Sequence, residues 1–456
     1  MTTKEILEAT GGALIQGGGT TGFRGVSIDS RAVNKGDVFI AIRGKRLDGH
    51  RFVRKAVIQG AALVVVSRPV SCPKNVAVVS VKDTTIALGQ IAASYRRRFN
   101  IPVVAVTGSA GKTTTKDMIA AVLSARFKVL KNIKTQNNQY GVSLTILGLK
   151  KSHQALVLEA GTNNPGEIRW IARIAQPTVV VLTNIGESHL QGLRSRGGVY
   201  REKSDLFRGM GPGGRVIFNN DDRYLKRIRL EKKRPRIISY GIREKADLRA
   251  GRVTVENNRK ICFHVRGERF ILNTPAEHYV YNALAAIACG RLLKVGYGDI
   301  RRALGNLKFE GRRQQVLNAG GVTVIDDTYN SNPVSLESAV KTIDGLKVVG
   351  KKIFVTADML ELGARSRPLH EDKGRMIARS TVDIAITVGK FSKYAAAALR
   401  QFNPRIKVFH YAQAGQAGRR LKTLCGPGDV VLVKGSRGMR MERVVESLRR
   451  HLTVKR

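Results

Sequence analysis

The chain has 456 residues, of which 43% are hydrophobic and 25% are charged, a composition typical of globular proteins. A chain of this length does not fold around one hydrophobic core, so we expect two to four domains and exclude a disordered or fibrous protein. The 80 Lys and Arg residues exceed the 34 Asp and Glu residues, giving a formal net charge of +46. This excess is spread along the chain, so we interpret it as solvated surface or compositional bias, with a nucleic-acid partner as the alternative.

Cysteine usage and hydropathy predict a cytoplasmic protein. The four cysteines are far apart, as expected for a reduced compartment. They form no C-x-x-C pair, which argues against a structural zinc site. The N-terminal segment MTTKEILEAT lacks the basic and apolar regions of a signal peptide, and no apolar stretch reaches membrane-spanning length. We therefore expect a cytoplasmic chain with no membrane span.

Helical and strand patterns predict three domains, at residues 1–83, 84–310 and 311–456. The first contains short strands and glycine turns and ends in the apolar strand AALVVVS. In the second, helices alternate with the strands VVAVTG, ALVLEAG and TVVVLTNIG, and a charged, strand-like stretch precedes the helix HYVYNALAAIACGRLL. The alternation restarts in the third domain with VTVIDDTYN, KIFVTADM, DIAITVGK, RIKVFHY and DVVLVKGSRG. Strands alternating with helices predict an α/β fold with parallel sheets.

The segment VVAVTGSAGKTTTKDMI, residues 103–119, predicts a phosphate-binding loop between a buried strand and a helix. Gly108 and Gly111 allow a tight turn in which successive N–H groups and a helix N-terminus face one anion. Lys112 would reach the outer phosphates, and Thr113 would offer its hydroxyl to Mg²⁺. Only the compact form G-x-x-G-K-T is present, because Val106 stands where the longer pattern has its first glycine. We predict that the chain binds a nucleoside triphosphate.

Other polar residues also follow predicted strands, where parallel sheets bind their ligands. Glu159 ends the strand ALVLE, and a carboxylate at that place can hold the Mg²⁺ that bridges outer phosphates. His189 follows the next strand and is a candidate ligand for a second metal ion, with a structural histidine as the alternative.

Eight motifs follow one another as they do in the Mur ligase family, which the chain resembles between residues 25 and 447. They are LEAGTNNPGEI, TNIGESHL, YREKSDLF, HYVYNALAA, FEGRRQQ, DDTYNSNPVS, ADMLELG and LVKGSRGMRME. The N-terminal SIDSRAV and RLDGHRF resemble the family's uridine-diphosphate-binding domain. The resemblance implies an N-terminal α/β uridine-binding domain, a central parallel sheet of the P-loop ATPase type and a C-terminal Rossmann-like ligase domain.

The resemblance also assigns roles to individual residues. It implies that Lys112, His189, Lys203 and Arg313 are catalytic, that Lys203 is carbamylated, and that two Mg²⁺ ions are bound by Thr113, Glu159, His189 and the modified Lys203. The implied ATP contacts are Gly108, Ser109, Ala110, Gly111, Lys112, Thr113, Thr114, Asn282 near the adenine, Arg313 at the phosphates and Asp327 at the ribose. The implied substrate contacts are Asp29, Ser30 and Arg31 at the uridine end, and Asn330, Lys434, Ser436 and Arg437 at the acceptor end.

DDTYNSNPVS and KGSRGMRME most resemble the family members that join D-alanyl-D-alanine to UDP-N-acetylmuramoyl-tripeptide in peptidoglycan precursor synthesis. The resemblance therefore implies an ATP-dependent amide ligase, acting through an acyl phosphate, and we expect a monomer. Three alternatives stay open: a sibling ligase with another amine acceptor, a folylpolyglutamate synthase, and a nucleic-acid-dependent ATPase.

The chain departs from the family pattern at five positions. Thr135 replaces a common asparagine, Tyr140 an isoleucine and Ser143 a proline, and Tyr279 and Ala357 replace residues of the HN and G-D-M motifs. We expect these changes to alter contacts near the substrate peptide and to leave the reaction unchanged.

Overall fold

The computed structural model describes residues 1–18, 22–44, 47–133, 136–231, 235–309 and 311–454. Three sheets follow one another along these residues, each flanked by helices, and a separate three-stranded sheet lies within the central region. Within the described ranges, no helix is both long and apolar enough to cross a membrane.

The N-terminal sheet has five strands in the order β1-β5-β4-β3-β2. Its elements are α1 (Thr3–Thr10), β1 (Ala13–Gln16), β2 (Val26–Ser27), β3 (Val38–Ile40), a 3-10 turn (Gly49–Phe52), α2 (Val53–Ile58), β4 (Leu63–Val66), β5 (Ala77–Ser80) and α3 (Thr84–Arg96). Asp83 fixes the start of α3, because its Oδ1 accepts hydrogen bonds from the N–H groups of Thr85 and Ile86.

The central sheet has seven parallel strands in the order β12-β11-β10-β9-β6-β8-β7. Its first half contains β6 (Val103–Thr107), α4 (Lys112–Ser124), β7 (Val129–Lys131), α5 (Gln139–Leu147), β8 (Ala155–Glu159), α6 (Glu167–Ala175), β9 (Val179–Leu182), α7 (Leu190–Leu193), α8 (Arg196–Arg208) and β10 (Arg215–Asn219). Every residue of β6, β8 and β9 is buried, as expected for strands covered by helices on both faces. Because β8 and β9 flank β6, three strand ends meet at one edge.

The second half of the central region completes this sheet and adds a small antiparallel one. It contains a 3-10 turn (Leu225–Leu230), β11 (Arg236–Gly241), β12 (Leu248–Arg249), β13 (Gly251–Glu256), β14 (Lys260–Val265), β15 (Glu268–Leu272), α9 (His278–Leu292) and α10 (Tyr297–Gly305). Helix α9 packs along α4, the helix that follows the phosphate loop, so its first turn lies beside the loop.

The C-terminal sheet has six strands in the order β16-β17-β21-β18-β19-β20. Its elements are β16 (Gln315–Ala319), β17 (Val322–Asp327), α11 (Pro333–Asp344), β18 (Lys352–Ala357), a 3-10 turn (Gly363–Arg365), α12 (Ser366–Ala378), β19 (Ile384–Val388), α13 (Ser392–Phe402), β20 (Lys407–Tyr411), α14 (Ala414–Leu424), β21 (Val430–Lys434), a 3-10 turn (Arg437–Met439) and α15 (Glu442–Val454). The predicted α/β class is confirmed.

The predicted parallel sheets are confirmed, and antiparallel strand pairs accompany them in three places, two of which contain a hairpin turn between consecutive strands. Strand β1 pairs antiparallel with β5, β16 with β17, and β14 with both β13 and β15. Asn257 and Asn258 between β13 and β14, and Gly320 and Gly321 between β16 and β17, all have positive φ. Two such residues in succession form the tight turn of a hairpin, which reverses the chain without a helix.

Candidate active site

The phosphate loop, residues 108–111, is pressed against neighbouring segments. Gly108 has φ +152°, and a Cβ atom there would lie 1.9 Å from Thr183 Oγ1, directly after β9. Gly111 has φ +78°, and its Cβ would lie 2.7 Å from Asn282 Oδ1 on α9. A side chain at either position would clash, so glycine is what lets the loop fit between β9 and α9.

Hydrogen bonds tie the loop to the segment after β9. The Ser109 N–H donates to Asn184 O at 3.0 Å, and the Ala110 N–H donates to Asn184 Oδ1 at 2.9 Å. Helix α4 begins at Lys112, and within the described residues no side chain caps its first turn. The N–H groups of that turn are therefore left for an anion, the arrangement that binds phosphate at helix N-termini.

The Lys112 side chain curls back over the loop, with Nζ donating to Gly108 O at 2.9 Å. Burial lowers the pKa of Lys112; the negative charge of Glu159 opposes this shift, and the positive charge of Arg313 reinforces it. The side chains of Lys112, Arg313 and Glu159 come from three separate parts of the chain and lie close enough to influence one another. Such an arrangement is suited to an anion that neutralises the cations.

Glu159 ends β8 beside the loop, as predicted. Its Oε2 accepts a hydrogen bond from Thr113 Oγ1 at 2.6 Å, its Oε1 accepts one from Asn137 Nδ2 at 2.8 Å, and the residue is 2% exposed. Asn132 holds the backbone in place, since its Oδ1 accepts the Glu159 N–H at 2.9 Å. A fixed carboxylate against the loop threonine is the pair of oxygen groups that Mg²⁺ uses beside a nucleotide.

Lys203 lies inside α8 and is fully buried, and its Nζ has no hydrogen-bond partner among the described residues. Burial lowers its pKa well below the ordinary value, Lys112 lowers it further, and Glu202 and Glu159 oppose the shift. Glu202 is engaged elsewhere, because its carboxylate accepts the N–H groups of Gly166 and Ile168 at the start of α6. The Lys203 amine is therefore buried, unpaired and driven toward its neutral form.

His189 also lines the cavity, and its backbone is in the left-handed region at φ +54°. Its Nδ1 lies 3.0 Å from Oε2 of Glu361, which also has a positive φ and follows β18 in the C-terminal sheet. The hydrogen bond from His189 lowers the pKa of Glu361. Among the residues that the structure describes, no three His, Cys, Asp or Glu side chains converge as a metal cluster.

The C-terminal side of the cavity holds a second set of charged groups. The Arg313 guanidinium lies 3.7 Å from the centre of the Tyr329 ring. Lys434 Nζ, at the end of β21, donates to Asp327 Oδ2 at 2.7 Å and to Asn330 O at 3.0 Å. Gln314 Nε2 donates to the same Asp327 oxygen at 3.0 Å. Asp327, predicted at the ribose, is thus already paired with a buried cation.

Two contacts close the cavity between the central and C-terminal sheets. Asn332 caps α11 by accepting the Ser335 N–H at 2.9 Å, and its Nδ2 donates to Ser109 O in the phosphate loop at 3.1 Å. Arg365 Nη1 lies 2.7 Å from Glu187 Oε1, which follows β9. The loop and the C-terminal domain therefore touch directly.

The resulting cavity has a volume of about 330 Å³ and brings together most of the predicted site residues. Those that line it are Ser109, Ala110, Gly111, Lys112, Thr113, Thr114, Glu159, His189, Asn282, Arg313, Asp327, Asn330 and Lys434. The Nδ2 of Asn282 is buried and has no partner among the described residues, so it is free to donate to a ligand.

The other predicted residues do not line this cavity. Gly108 begins the loop and Lys203 is fully buried, and neither is among the lining residues; Ser436 donates to Ser331 O, a lining residue, at 3.1 Å. Arg437 follows and is largely exposed. At the uridine end, Arg31 and Asp29 form an exposed ion pair at 2.7 Å on either side of the buried Ser30, in the N-terminal domain.

Of the five departures from the family pattern, Thr135 lies outside the described residues. Tyr140 packs on the N-terminal core with its hydroxyl 3.4 Å from Thr85 Oγ1, and Ser143 Oγ donates to Gln139 O within α5. Tyr279 donates to Arg313 O at 2.6 Å. It therefore anchors the backbone of Arg313 at the wall of the cavity. The fifth, Ala357, ends β18, and its O accepts from Lys373 Nζ at 2.7 Å.

Sequence reasoning missed Asn137, Asn332 and Glu361, although each contacts a predicted residue. Asn332 had a usable signal, because it precedes a proline and a helical pattern after a strand, where a helix N-cap is expected. Glu361 belongs to the motif ADMLELG, but that motif does not indicate its contact with His189, which joins segments 172 residues apart.

Three family models cover most of the chain. Residues 22–109 match the Mur ligase family catalytic domain, residues 106–290 the Mur ligase middle domain, and residues 311–437 the Mur ligase glutamate ligase domain. Curated relatives include the UDP-N-acetylmuramoyl-tripeptide–D-alanyl-D-alanine ligases of Bacillus subtilis and Escherichia coli. The first is 35% identical over 98% of both chains, and the second is 32% identical over 94% of both.

Solved structures give the same result. MurF from Acinetobacter baumannii superposes with a TM-score of 0.89 at 32% identity, covering 98% of both chains. MurF ligase from Thermotoga maritima, solved in complex with ADP, superposes with a TM-score of 0.83 at 28% identity, over 95% of this chain and 99% of that one. With these relatives matching nearly its whole length, the chain belongs to the Mur ligase family.

Proposed function

We propose that this chain is an ATP-dependent ligase that joins D-alanyl-D-alanine to UDP-N-acetylmuramoyl-tripeptide with release of ADP and phosphate. The observation that carries the proposal is one cavity in which the phosphate loop and Glu159 face Arg313 and Lys434 of a second domain. The curated relatives named above carry the name of this reaction, and they match 98% and 94% of this chain.

ATP is the nucleotide that fits the proposal. The loop N–H groups, the start of α4 and Lys112 would hold its outer phosphates. A second cavity of about 510 Å³ adjoins the first, and Tyr279 and Phe309 line it with Thr113 and Arg313. We place the purine base at this aromatic wall, within reach of the α9 segment that carries Asn282.

The residues present fit Mg²⁺, because this ion keeps several waters and phosphate oxygens and needs only one or two protein ligands. Thr113 and Glu159 would hold one ion beside the loop, and His189 and a modified Lys203 would hold a second. Bound there, the ions would neutralise charge on the phosphates during transfer.

We propose that Lys203 is carbamylated. Its amine is fully buried and unpaired among the described residues, and its pKa is lowered by burial and by Lys112, so the neutral form is favoured. A neutral amine can attack CO₂; a C–N bond forms, one proton is lost, and the product is an anionic carbamate. The carbamate would supply a negative charge near Lys112 and could serve as a metal ligand, whereas the unmodified side chain adds only another potential cation.

The chain's own residues then position two reactions. The terminal carboxylate of the UDP-tripeptide attacks the γ-phosphorus, so that a new P–O bond forms and the bond to ADP breaks. The dipeptide amine next attacks the acyl carbon, a C–N bond forms, the amine loses a proton, and phosphate departs. Lys112 and Arg313 would stabilise the spreading negative charge, and contact between the two domains would keep water from the acyl phosphate.

The substrate ends would bind on different domains. Asp29, Ser30 and Arg31 would hold the uridine end, whereas Asn330, Lys434, Ser436 and Arg437 would line the path of the dipeptide. One chain supplies every group of the cavity, which fits a monomer, and the nucleotide substrates fit a cytoplasmic enzyme.

An ADP- and phosphate-release assay tests the proposal, with UDP-tripeptide and D-alanyl-D-alanine offered together and singly. We expect release to require both substrates and to match the amide formed. Release with another amino acid in place of the dipeptide would indicate a sibling ligase. Release driven by RNA or DNA alone would contradict the proposal.

A further inference from the structure

The segment that joins the central and C-terminal domains has an unusual backbone. Between α10 and β16, Gly311, Arg312 and Gln314 all have positive φ, at +79°, +61° and +55°. Side chains other than glycine, asparagine and aspartate seldom adopt this region, so the surroundings must hold the segment in place. Arg313, which faces the nucleotide cavity, lies within this arc.

Arg312 anchors the arc to the last helix. Its Nη1 lies 3.1 Å from Glu442 Oε1, and its Nη2 lies 3.1 Å from Glu446 Oε1, one turn further along α15. Its carbonyl oxygen accepts the Tyr329 N–H at 3.1 Å. The same Tyr329 lies under the Arg313 guanidinium, so a movement of Arg312 is passed to Arg313.

Glu442 has a second cation on the same oxygen. Arg437 Nη1 lies 3.6 Å from Glu442 Oε1, whereas Glu442 Oε2 is buried and has no partner among the described residues. The Glu442 side chain is 15% exposed, against 46% for Glu446 and 62% for Arg437. One carboxylate oxygen thus joins Arg312, in the linking arc of residues 311–314 (the hinge), to the arginine that we place at the acceptor.

We propose that Glu442 is a positioning residue that couples the nucleotide side of the site to the acceptor side. The inference rests on the proposed function. Displacement of the hinge carries Arg312 with it, and Glu442 then changes its hold on Arg437. Coupling of this kind is reciprocal, so occupation of the nucleotide cavity changes dipeptide affinity, and the dipeptide changes nucleotide affinity by the same factor.

The test compares Arg312→Gln, Arg437→Gln and their double variant, each with Glu442 or with Glu442→Gln. With Glu442 present, we expect Arg312→Gln to raise the KM for D-alanyl-D-alanine about fivefold or more, although Arg312 does not face the acceptor. When Arg312→Gln is added to Glu442→Gln, the KM for the dipeptide should stay within about twofold of its value in Glu442→Gln alone. Glu442→Asp should restore part of the coupling.

Glu446→Gln is the matched control, because Glu446 pairs with Arg312 and has no contact with Arg437 among the described ion pairs. It should leave the KM for the dipeptide within about twofold. Equal effects of Glu442→Gln and Glu446→Gln, or Arg312 and Arg437 effects that multiply independently with Glu442 present, would overturn the coupling.

A second readout separates this inference from the proposed function. Thermal unfolding of the same variants needs no substrate, and the Arg312 and Arg437 effects on Tm should be non-additive only when Glu442 is present. If the wild-type protein makes no amide but this pattern holds, the proposed function fails and the Glu442 link stands. If the enzyme is active but the Arg312 and Arg437 effects on Tm are additive, the proposed function stands and the Glu442 link fails.

Discussion

The two sides of the cavity hold their buried lysines in opposite ways. On the central side, Lys203 is fully buried and its amine has no partner among the described residues. On the C-terminal side, Lys434 is equally buried, but its Nζ is bonded to Asp327 Oδ2 at 2.7 Å and to Asn330 O at 3.0 Å. An unpaired buried amine destabilises a fold, whereas a paired one fixes geometry.

This difference separates chemistry from positioning. A group that the fold keeps at a cost in stability is a candidate for reaction, and Lys203 is such a group beside Lys112 and Glu159. Lys434 instead joins the end of β21 to the end of β17, so it sets the shape of the acceptor side. The predictions below test whether the two lysines behave accordingly.

The largest effect is expected for Lys203→Met. Ligation should fall by about 1000-fold, because the carbamate is lost. Compared with wild-type protein kept free of CO₂, in which Lys203 is an unpaired buried amine, Tm should stay equal or rise, because an apolar side chain of similar length replaces that amine. Activity assays and calorimetric melting check the two halves. As a control, wild-type activity should fall in buffers stripped of CO₂ and return with bicarbonate. Full activity of the Lys203→Met protein would contradict the proposal that Lys203 is carbamylated.

A smaller loss is expected for Lys112→Ala on the same side. Removal of the ammonium beside the phosphates should lower kcat/KM for ATP about 100-fold, with far-ultraviolet circular dichroism unchanged. Stopped-flow or steady-state ADP release measures the loss. A matched exposed lysine, Lys128→Ala, should have no effect, and an equal loss there would mean that general charge rather than position matters.

Lys434→Met should reverse the stability result of Lys203→Met. The change leaves the Asp327 carboxylate buried without its cation, so the free energy of unfolding should drop by about 3 kcal/mol. Chemical denaturation of the two Met variants in parallel makes the comparison. Two variants of equal stability would break the distinction between the paired and unpaired lysines.

The smallest effect concerns pH. Lys373 in α12 is buried near Asp358 and Lys434, and burial lowers its pKa from 10.5 to about 7. Between these two values the unfolded chain binds the extra proton, so the folded state gains stability as pH rises. In chemical denaturation at pH 7, 8 and 9, the free energy of unfolding of the wild-type protein should rise relative to that of Lys373→Met. The difference should grow by at most about 1.4 kcal/mol per pH unit. A flat difference would contradict the shift.

The phosphate loop was predictable because its residues are consecutive. Its glycines, lysine and threonine identify the ligand without knowledge of the fold, and Glu159 followed once β8 was placed next to β6. The hairpin turns Asn257–Asn258 and Gly320–Gly321 also carried a local signal, because asparagine and glycine adopt positive φ more readily than other residues.

The rest of the site was harder to predict from the sequence. The roles of Arg313 and Lys203 came from the family resemblance, since neither residue type nor spacing distinguishes them from solvated side chains. The partner of Arg312 on α15 lies more than a hundred residues away in the chain, and only the folded hinge brings the two together. The +46 charge has no explanation in the site.

Oxygen transfer tests the central claim most directly. When the terminal carboxylate of the UDP-tripeptide is labelled with ¹⁸O, attack on the γ-phosphorus must carry one labelled oxygen into the released phosphate. We predict one ¹⁸O atom in phosphate for each amide bond formed, measured by mass spectrometry with both substrates and ATP present. Amide formation with unlabelled phosphate would show that the carboxylate is never phosphorylated, and would contradict the account.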